Sequence, residues 1–340
     1  MNDRTRVLVA VGTTVLLFLG VQLGALALVE PFNESGRQAV EDPQNPTNSV
    51  LYFGVMLVAT GLMLAAFKYD LEWLIRLLIV GVSVMISWYV FAELVPALLV
   101  PPLAAGVADA LAIVVALAVG AALLLYPEWY VIDTTGVVMG AGAAALFGIS
   151  FGLLPALLLL AVLAVYDAIS VYGTEHMLDL AEGVMDLKIP VVLVVPMTLS
   201  YSYLADGSTD DVLEDDRETD ASAADGGTDP DTDDSAADDA GALERDALFI
   251  GLGDAVIPSV LVASAAYFLE ARAIAVPLIA LNLPALGALV GTIAGLLVLM
   301  YMVLKGRPHA GLPLLNGGAI GGYLLGALAS GLSVATALGF

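Results

Sequence analysis

The chain has 340 residues, of which 60% are hydrophobic and only 14% charged, with a formal net charge of −24 and a mean hydropathy of +0.93. This composition excludes an ordinary water-soluble domain and indicates a polytopic membrane protein. The chain contains no cysteine and only two histidines, which excludes disulfides and thiolate chemistry, and neither a metal site nor a nucleic-acid partner is predicted.

Apolar stretches that are long enough to cross roughly 30 Å of hydrocarbon recur along the whole chain. They predict an all-α membrane protein with about nine transmembrane helices. In chain order the predicted spans are Val7–Val29, Ser49–Phe67, Leu71–Phe91, Ala104–Leu125, Thr134–Ile149, Gly152–Gly173, Ala247–Phe268, Pro284–Leu304 and Leu312–Leu332. The fifth is short and rich in Gly and Ala, and the run Ile274–Leu283 could lengthen the eighth.

The positions of the basic residues predict the orientation. If the N-terminus is cytoplasmic, nine of the eleven lysines and arginines fall on the cytoplasmic side, and only Arg37 and Arg272 fall outside. Because cytoplasmic loops carry an excess of Lys and Arg, this split favours a cytoplasmic N-terminus. An odd number of spans then leaves the C-terminus outside.

Two carboxylates lie inside predicted spans. Asp167 lies seven residues before Thr174, the predicted cytoplasmic end of the sixth span, and Asp254 lies seven residues after Ala247. Each is therefore expected at a depth of roughly 10 Å from the same face. Ionisable groups within a membrane are costly and are functional hypotheses by default, and two carboxyl groups at one depth can share a proton and activate water. By contrast, Glu93, Asp109 and Asp133 lie near span ends and are predicted to be interfacial.

The residues around Asp254 favour an irregular, closely packed backbone. Gly251 shares a helical face with Asp254, and Gly253 is its neighbour, so another chain segment can approach closely. Pro258 has no N–H to donate to the Asp254 carbonyl, which loosens the helix at this point.

Between the sixth and seventh spans the composition changes twice. Glu175–Lys188 has the pattern of an amphipathic surface helix, and the β-branched, proline-bracketed Ile189–Pro196 is too short to cross and predicts a strand or extended segment. The run Asp206–Asp246 holds 17 acidic residues against two arginines, a net charge of 2 − 17 = −15, and predicts a disordered linker. The predicted division is therefore an N-terminal membrane part (1–203), an acidic cytoplasmic loop (204–246) and a C-terminal membrane part (247–340).

Such acidity suggests a salt-rich cytoplasm and a halophilic, archaeal source, since concentrated salt screens the charges.

Two short motifs on consecutive long spans carry a family resemblance. They are Tyr166-Asp167 and Gly251-Leu252-Gly253-Asp254. Together with the nine spans and the large loop between the motifs, they resemble the presenilin and signal-peptide-peptidase family of intramembrane aspartyl proteases. The resemblance implies that Asp167 and Asp254 are a catalytic pair. Whether the chain is closer to presenilins or to signal peptide peptidases stays open, because the orientation favours the former and the GLGDAVIP segment the latter.

A third family element, a Pro-Ala-Leu triplet before the last span, matches Ala310-Gly311-Leu312-Pro313 only in Leu312 and the proline that follows it. Its glycine and proline predict an extended turn.

The function that these residues imply is hydrolysis of peptide bonds within transmembrane segments of proteins in the lipid bilayer, without a cofactor. One aspartate acts as base on a water and the other as acid, in an order that the sequence leaves open. Either Ile189–Pro196 or the segment at Ala310 could hold an unwound substrate through backbone hydrogen bonds. The alternative is a proton- or cation-coupled transporter or channel that uses the same two carboxylates.

Overall fold

A computed structural model of the chain describes residues 3–69, 71–98, 105–173, 190–196, 247–303 and 310–340. Its helices are α1 (Asp3–Glu34), α2 (Thr47–Lys68), α3 (Glu72–Leu98), α4 (Ala105–Leu125), α5 (Trp129–Ser150), α6 (Leu153–Gly173), α7 (Leu252–Phe268), α8 (Leu283–Val303), α9 (Gly311–Ala329) and the short α10 (Val334–Ala337). Two strands, β1 (Val192–Pro196) and β2 (Ala247–Gly251), lie in the chain between α6 and α7.

Each predicted span overlaps one of the helices α1 to α9. Eight of them are long and apolar enough to cross a membrane, and α7, with 17 residues, is a shorter apolar helix. The predicted mostly helical membrane fold is therefore confirmed. The predicted amphipathic helix Glu175–Lys188 and the acidic loop lie outside the described residues.

The fifth span is longer than predicted and lies at the centre of the bundle. Its helix α5 has 22 residues and is the most buried of the long helices. Its small residues explain this burial, because Gly and Ala let neighbouring backbones approach closely. Gly20 and Gly24 of α1 pack on one side of α5, and Ala263 of α7 packs against its Gly148.

The seventh predicted span is wrong at its start. Ala247–Gly251 is not helical but forms β2, which pairs antiparallel with β1, with Val192 opposite Gly251 and Pro196 opposite Ala247. A short apolar run is compatible with either a helix or a strand, and here backbone pairing with a distant segment decides. The predicted strand at Ile189–Pro196 is confirmed for Val192–Pro196.

The suggestion that Ile274–Leu283 lengthens the eighth helix is also wrong. This stretch forms two isolated bridges, Ala273 with Asn282 and Val276 with Ile279. The Asn282 side chain accepts a hydrogen bond from Ala285 N at 2.9 Å and donates to the Ala265 carbonyl at 2.8 Å. An asparagine in this role starts a new helix, so α8 begins at Leu283.

The contacts between helices also give their relative directions. Gly140 of α5 lies beside Leu252, and Gly148 lies beside Ala263, so α5 and α7 run in parallel. Asn316 Nδ2 donates to the Leu160 carbonyl at 2.9 Å, and Leu312 N bonds to the side chain of Asp167, so α6 and α9 are antiparallel. This arrangement brings the start of α7, the start of α9 and the last two turns of α6 to the same end of the bundle.

Candidate active site

Asp254 is the third residue of α7 and lies directly beyond the end of β2. Gly251, the last residue of β2, has the extended backbone of a helix N-cap. The predicted depth of Asp254 counted seven helical residues from Ala247, and this count is wrong because five of those residues belong to the strand. The carboxyl group instead lies at the junction of a strand and a helix, where the first backbone N–H groups of the helix have no hydrogen-bond acceptor within it.

Leu252 anchors this junction in the core. Its side chain is buried, and its Cδ1 lies 3.2 Å from the point where a Cβ on Gly140 would stand. Leu252 N donates to the Val191 carbonyl at 2.7 Å, which ties the first residue of α7 to the β1 segment. Gly253 is exposed on the other side. Leu252 therefore packs the start of α7 into the core, whereas Gly253 leaves its exposed side open.

Asp167 lies on α6 and reaches across to α9. Its Oδ2 accepts a hydrogen bond from Leu312 N at 3.0 Å. Leu312 is the second residue of α9, so its N–H is one of the amides that have no acceptor within their own helix. The positive end of the α9 dipole points at the same carboxylate, and both effects hold Asp167 in one orientation.

The two carboxyl groups lie beside the first two residues of α9. A Cβ atom built on Gly311 would lie 3.5 Å from Asp254 Oδ2, and one built on Gly251 would lie at the same distance. Leu312, the residue after Gly311, donates its backbone N–H to Asp167. Both aspartates are half-buried. The start of α9 thus places its backbone between two carboxyl groups from different helices.

The predicted extended turn at Ala310–Pro313 is wrong in part. Only Ala310 is extended, as the N-cap residue of α9, and Gly311, Leu312 and Pro313 form the first turn of the helix. Proline is favourable there because its missing N–H would have no helical acceptor.

Two other predicted site residues lie at the edge of this cluster. Tyr166 packs its ring edge-on against Phe53 of α2, with the ring centroids 5.8 Å apart. Pro258 is buried within α7, which continues through it. Pro258 leaves the Asp254 carbonyl without the usual helical donor, as predicted from its spacing.

Asp133 was predicted to be an interfacial acid that can reach water, and its expected access to water is wrong. Its side chain is buried, and its Oδ1 accepts a hydrogen bond from Val194 N at 2.7 Å. A carboxylate near the start of a helix gives no local sign of a partner that is 61 residues away in the chain. Only the fold brings it to β1.

Comparison with known proteins gives an independent result. Residues 15–332 match the family model of signal-peptide peptidase, presenilin aspartyl protease. A solved structure of a presenilin family intramembrane aspartate protease in space group C222 is 33% identical to the chain, covering 94% of this chain and 99% of the other at a TM-score of 0.61. A second, in space group P2, is 35% identical, covering 93% and 96% at a TM-score of 0.58. Among curated protein sequences nothing matches significantly.

Proposed function

The chain belongs to the signal-peptide peptidase and presenilin aspartyl protease family, and within this multi-pass intramembrane protease we propose that Asp167 and Asp254 are the catalytic pair. The observation that carries the proposal is the meeting of the two carboxyl groups at the start of α9. The transporter alternative has no support among the matched proteins, which are proteases.

The reaction needs one proton on the pair. The ionised carboxylate takes a proton from a water held between the two groups, and the water oxygen attacks the peptide carbonyl carbon while the protonated carboxyl donates to the carbonyl oxygen. Proton transfer to the amide nitrogen then breaks the C–N bond and releases an amine and a carboxylic acid. Both carboxyl groups are therefore needed for the reaction, one as base and one as acid.

The origin of the added oxygen tests this reaction. The protein, purified in detergent, is incubated with a single-span peptide in ¹⁸O-labelled water, and the masses of the fragments are measured by mass spectrometry. We expect two complementary fragments, with solvent ¹⁸O in the new carboxyl end. Fragments that contain only ¹⁶O at that end would contradict hydrolysis by solvent water.

The substrate needs backbone partners once it is unwound. A transmembrane segment hides its amides in helical hydrogen bonds, and each amide exposed without a partner costs several kcal/mol in an apolar environment. The two-stranded sheet beside Asp254 can supply such partners by accepting an additional strand. The sequence pattern indicates β1 for this role, but the hydrogen bonds in the sheet favour β2.

The preference for β2 follows from the alternation of backbone groups along a strand. In β1 the outward amide of Val194 is already bound to Asp133. At the end of β2, Leu252 N donates to the Val191 carbonyl, so the backbone N–H of Leu252 points toward the β1 segment. Because backbone groups alternate in direction along a strand, those of the preceding residue, Gly251, point to the opposite edge of the sheet. Gly251 is exposed and lies beside the Asp254 carboxyl group. A substrate strand on this edge would therefore run past the catalytic pair.

Proline at position 251 tests the pairing edge. Gly251 has a φ of −59°, which proline adopts without strain, so Gly251→Pro removes one amide donor and little else. We expect cleavage to fall roughly tenfold, about the effect of one lost net hydrogen bond.

Gly251→Ala is the matched control, because its Cβ would stand at an ordinary 3.5 Å from Asp254 Oδ2 and its amide is kept. The measurement is the initial rate of peptide cleavage by both variants. An equal loss in the two would show that bulk beside Asp254, rather than the amide, is what matters.

The charges of the chain support a proposal for its orientation in the membrane and for its salt environment. The distribution of lysines and arginines supports a cytoplasmic N-terminus, which puts the catalytic pair near the cytoplasmic face. The net charge of −24 supports a salt-rich cytoplasm.

A further inference from the structure

A third carboxylate, Asp133, lies outside the catalytic pair and is bonded to the sheet. It is the fifth residue of α5 and is only 4% exposed. Its Oδ1 accepts the amide hydrogen of Val194, the central residue of β1, at 2.7 Å. This bond fixes the edge of β1 that faces away from β2 to a helix at the centre of the bundle.

Beyond Asp133 along α5, the surface of this helix packs against the sheet and the start of α7. One turn further along, a Cβ on Gly136 would lie 3.0 Å from Leu193 Cδ2. Another turn on, Gly140 faces Leu252 and Val256 at 3.2 Å. A Cβ at either glycine would require the neighbouring side chains to shift by a few tenths of an ångström. We call Asp133, Gly136 and Gly140 the α5 platform.

The α5 platform is linked to Asp254 through β1 and β2. Val194 belongs to β1, and β1 is paired with β2 along five residues. β2 ends at Gly251, and Asp254 follows in the first turn of α7. A displacement of β1 relative to α5 would therefore move the substrate-pairing edge relative to Asp254.

A carboxylate is a poor choice if the site needs only stability. Burying it costs solvation free energy that one amide hydrogen bond offsets only in part, and an apolar side chain of similar size would pack without that cost. The carboxylate supplies a directional acceptor at a defined point of the strand. Its contribution is therefore to the position of β1.

We propose that Asp133 is a positioning residue that sets where along the substrate the catalytic pair cuts. The inference rests on the proposed function, in which the sheet binds the substrate strand. Asp133 binds the outward backbone amide of Val194 in β1, and this contact affects which substrate bond is cleaved. It does not touch the reacting atoms.

The experiment maps cleavage positions for three substitutions at one site. Asp133→Asn keeps an oxygen acceptor for Val194 N, Asp133→Leu removes it, and Asp133→Glu keeps the carboxyl group but extends the side chain by one carbon. Each full-length variant is incubated with the same single-span peptide, and the products are identified by mass spectrometry. The pattern of cleavage sites is the readout, because lost stability alone would lower the rate without moving the cut.

We expect Asp133→Asn to retain the wild-type cleavage position. Asp133→Leu and Asp133→Glu should spread cleavage over neighbouring bonds, within about two residues, the repeat at which a strand returns the same face. KM should also rise for Asp133→Leu, because the edge of the sheet that pairs with the substrate is no longer held in place by the bond to Val194 N. If Asp133→Leu does not fold, the Asp133→Glu pattern decides the question.

Glu93→Leu makes the same kind of change, the loss of a bonded carboxylate, far from the sheet. Glu93 pairs with Arg37 at 3.0 Å, at the end of the bundle where α7 finishes, roughly 20 Å along that helix from Asp254. Its cleavage position should be that of the wild type. Wild-type cleavage positions in both Asp133→Leu and Asp133→Glu, or a spread in Glu93→Leu as well, would overturn the inference. Cleavage that survives in Asp254→Ala would instead overturn the proposed catalytic pair, whatever the Asp133 variants do.

Discussion

Replacing either Asp167 or Asp254 with alanine should abolish cleavage of a single-span peptide while leaving a folded helical protein. Each carboxyl group performs a proton transfer that the other cannot take over, and such transfers contribute roughly 10²- to 10⁴-fold to the rate. Both side chains are half-buried at one end of the bundle, and neither belongs to its hydrophobic clusters. The activity should therefore be lost without loss of the fold, as measured by product mass spectrometry together with circular dichroism.

Isosteric variants make this test sharper. Asp167→Asn and Asp254→Asn keep the shape of the site but cannot exchange a proton, so both should be as inactive as the alanine variants. Asp109→Asn makes the same chemical change at an exposed position on α4 and should retain full activity. If either active-site variant cleaved at near wild-type rate, the assignment of the pair would be wrong.

Gly322→Ala should strongly destabilise the protein and also reduce activity. The helices α8 and α9 cross with their backbones in contact, and a Cβ on Gly322 would fall on the carbonyl oxygen of Gly287. Because that neighbour is backbone, relief requires the helices to separate. Overpacking of this kind costs roughly 1–3 kcal/mol or more. The activity should fall as well, since α9 carries the Leu312 amide that holds Asp167.

Gly321→Ala is the control for this substitution. Gly321 is exposed, and a Cβ at that position would meet no atom within 4 Å. Alanine there should leave the protein as stable as the wild type, or slightly more stable, because alanine is the better helix former. The measurement is the midpoint of thermal unfolding in detergent for both variants. Equal midpoints would mean that α8 and α9 do not cross as closely as the structure has them.

The sequence by itself determined which parts of the chain are helices in a membrane and where ionisable groups interrupt them. Both properties are local. A span is a sum of side-chain hydropathies over about 20 residues, and a carboxylate inside a span stands out wherever its partner lies. The existence and order of the helices α1 to α9, and the two motif aspartates, Asp167 and Asp254, could therefore be predicted, although not every helix boundary.

Only the tertiary structure decided where α7 begins, what Asp133 contacts and how the two aspartates meet. Ala247–Gly251 is apolar enough for a helix and becomes a strand because β1 satisfies its backbone. Asp133 resembles any interfacial acid until β1 brings the Val194 amide to it. Asp167 and Asp254 share a site through Gly311 and Leu312, on a third helix. Each of these outcomes depends on hydrogen bonds or contacts between residues far apart in the chain, and hydropathy and spacing carry no information about such partners.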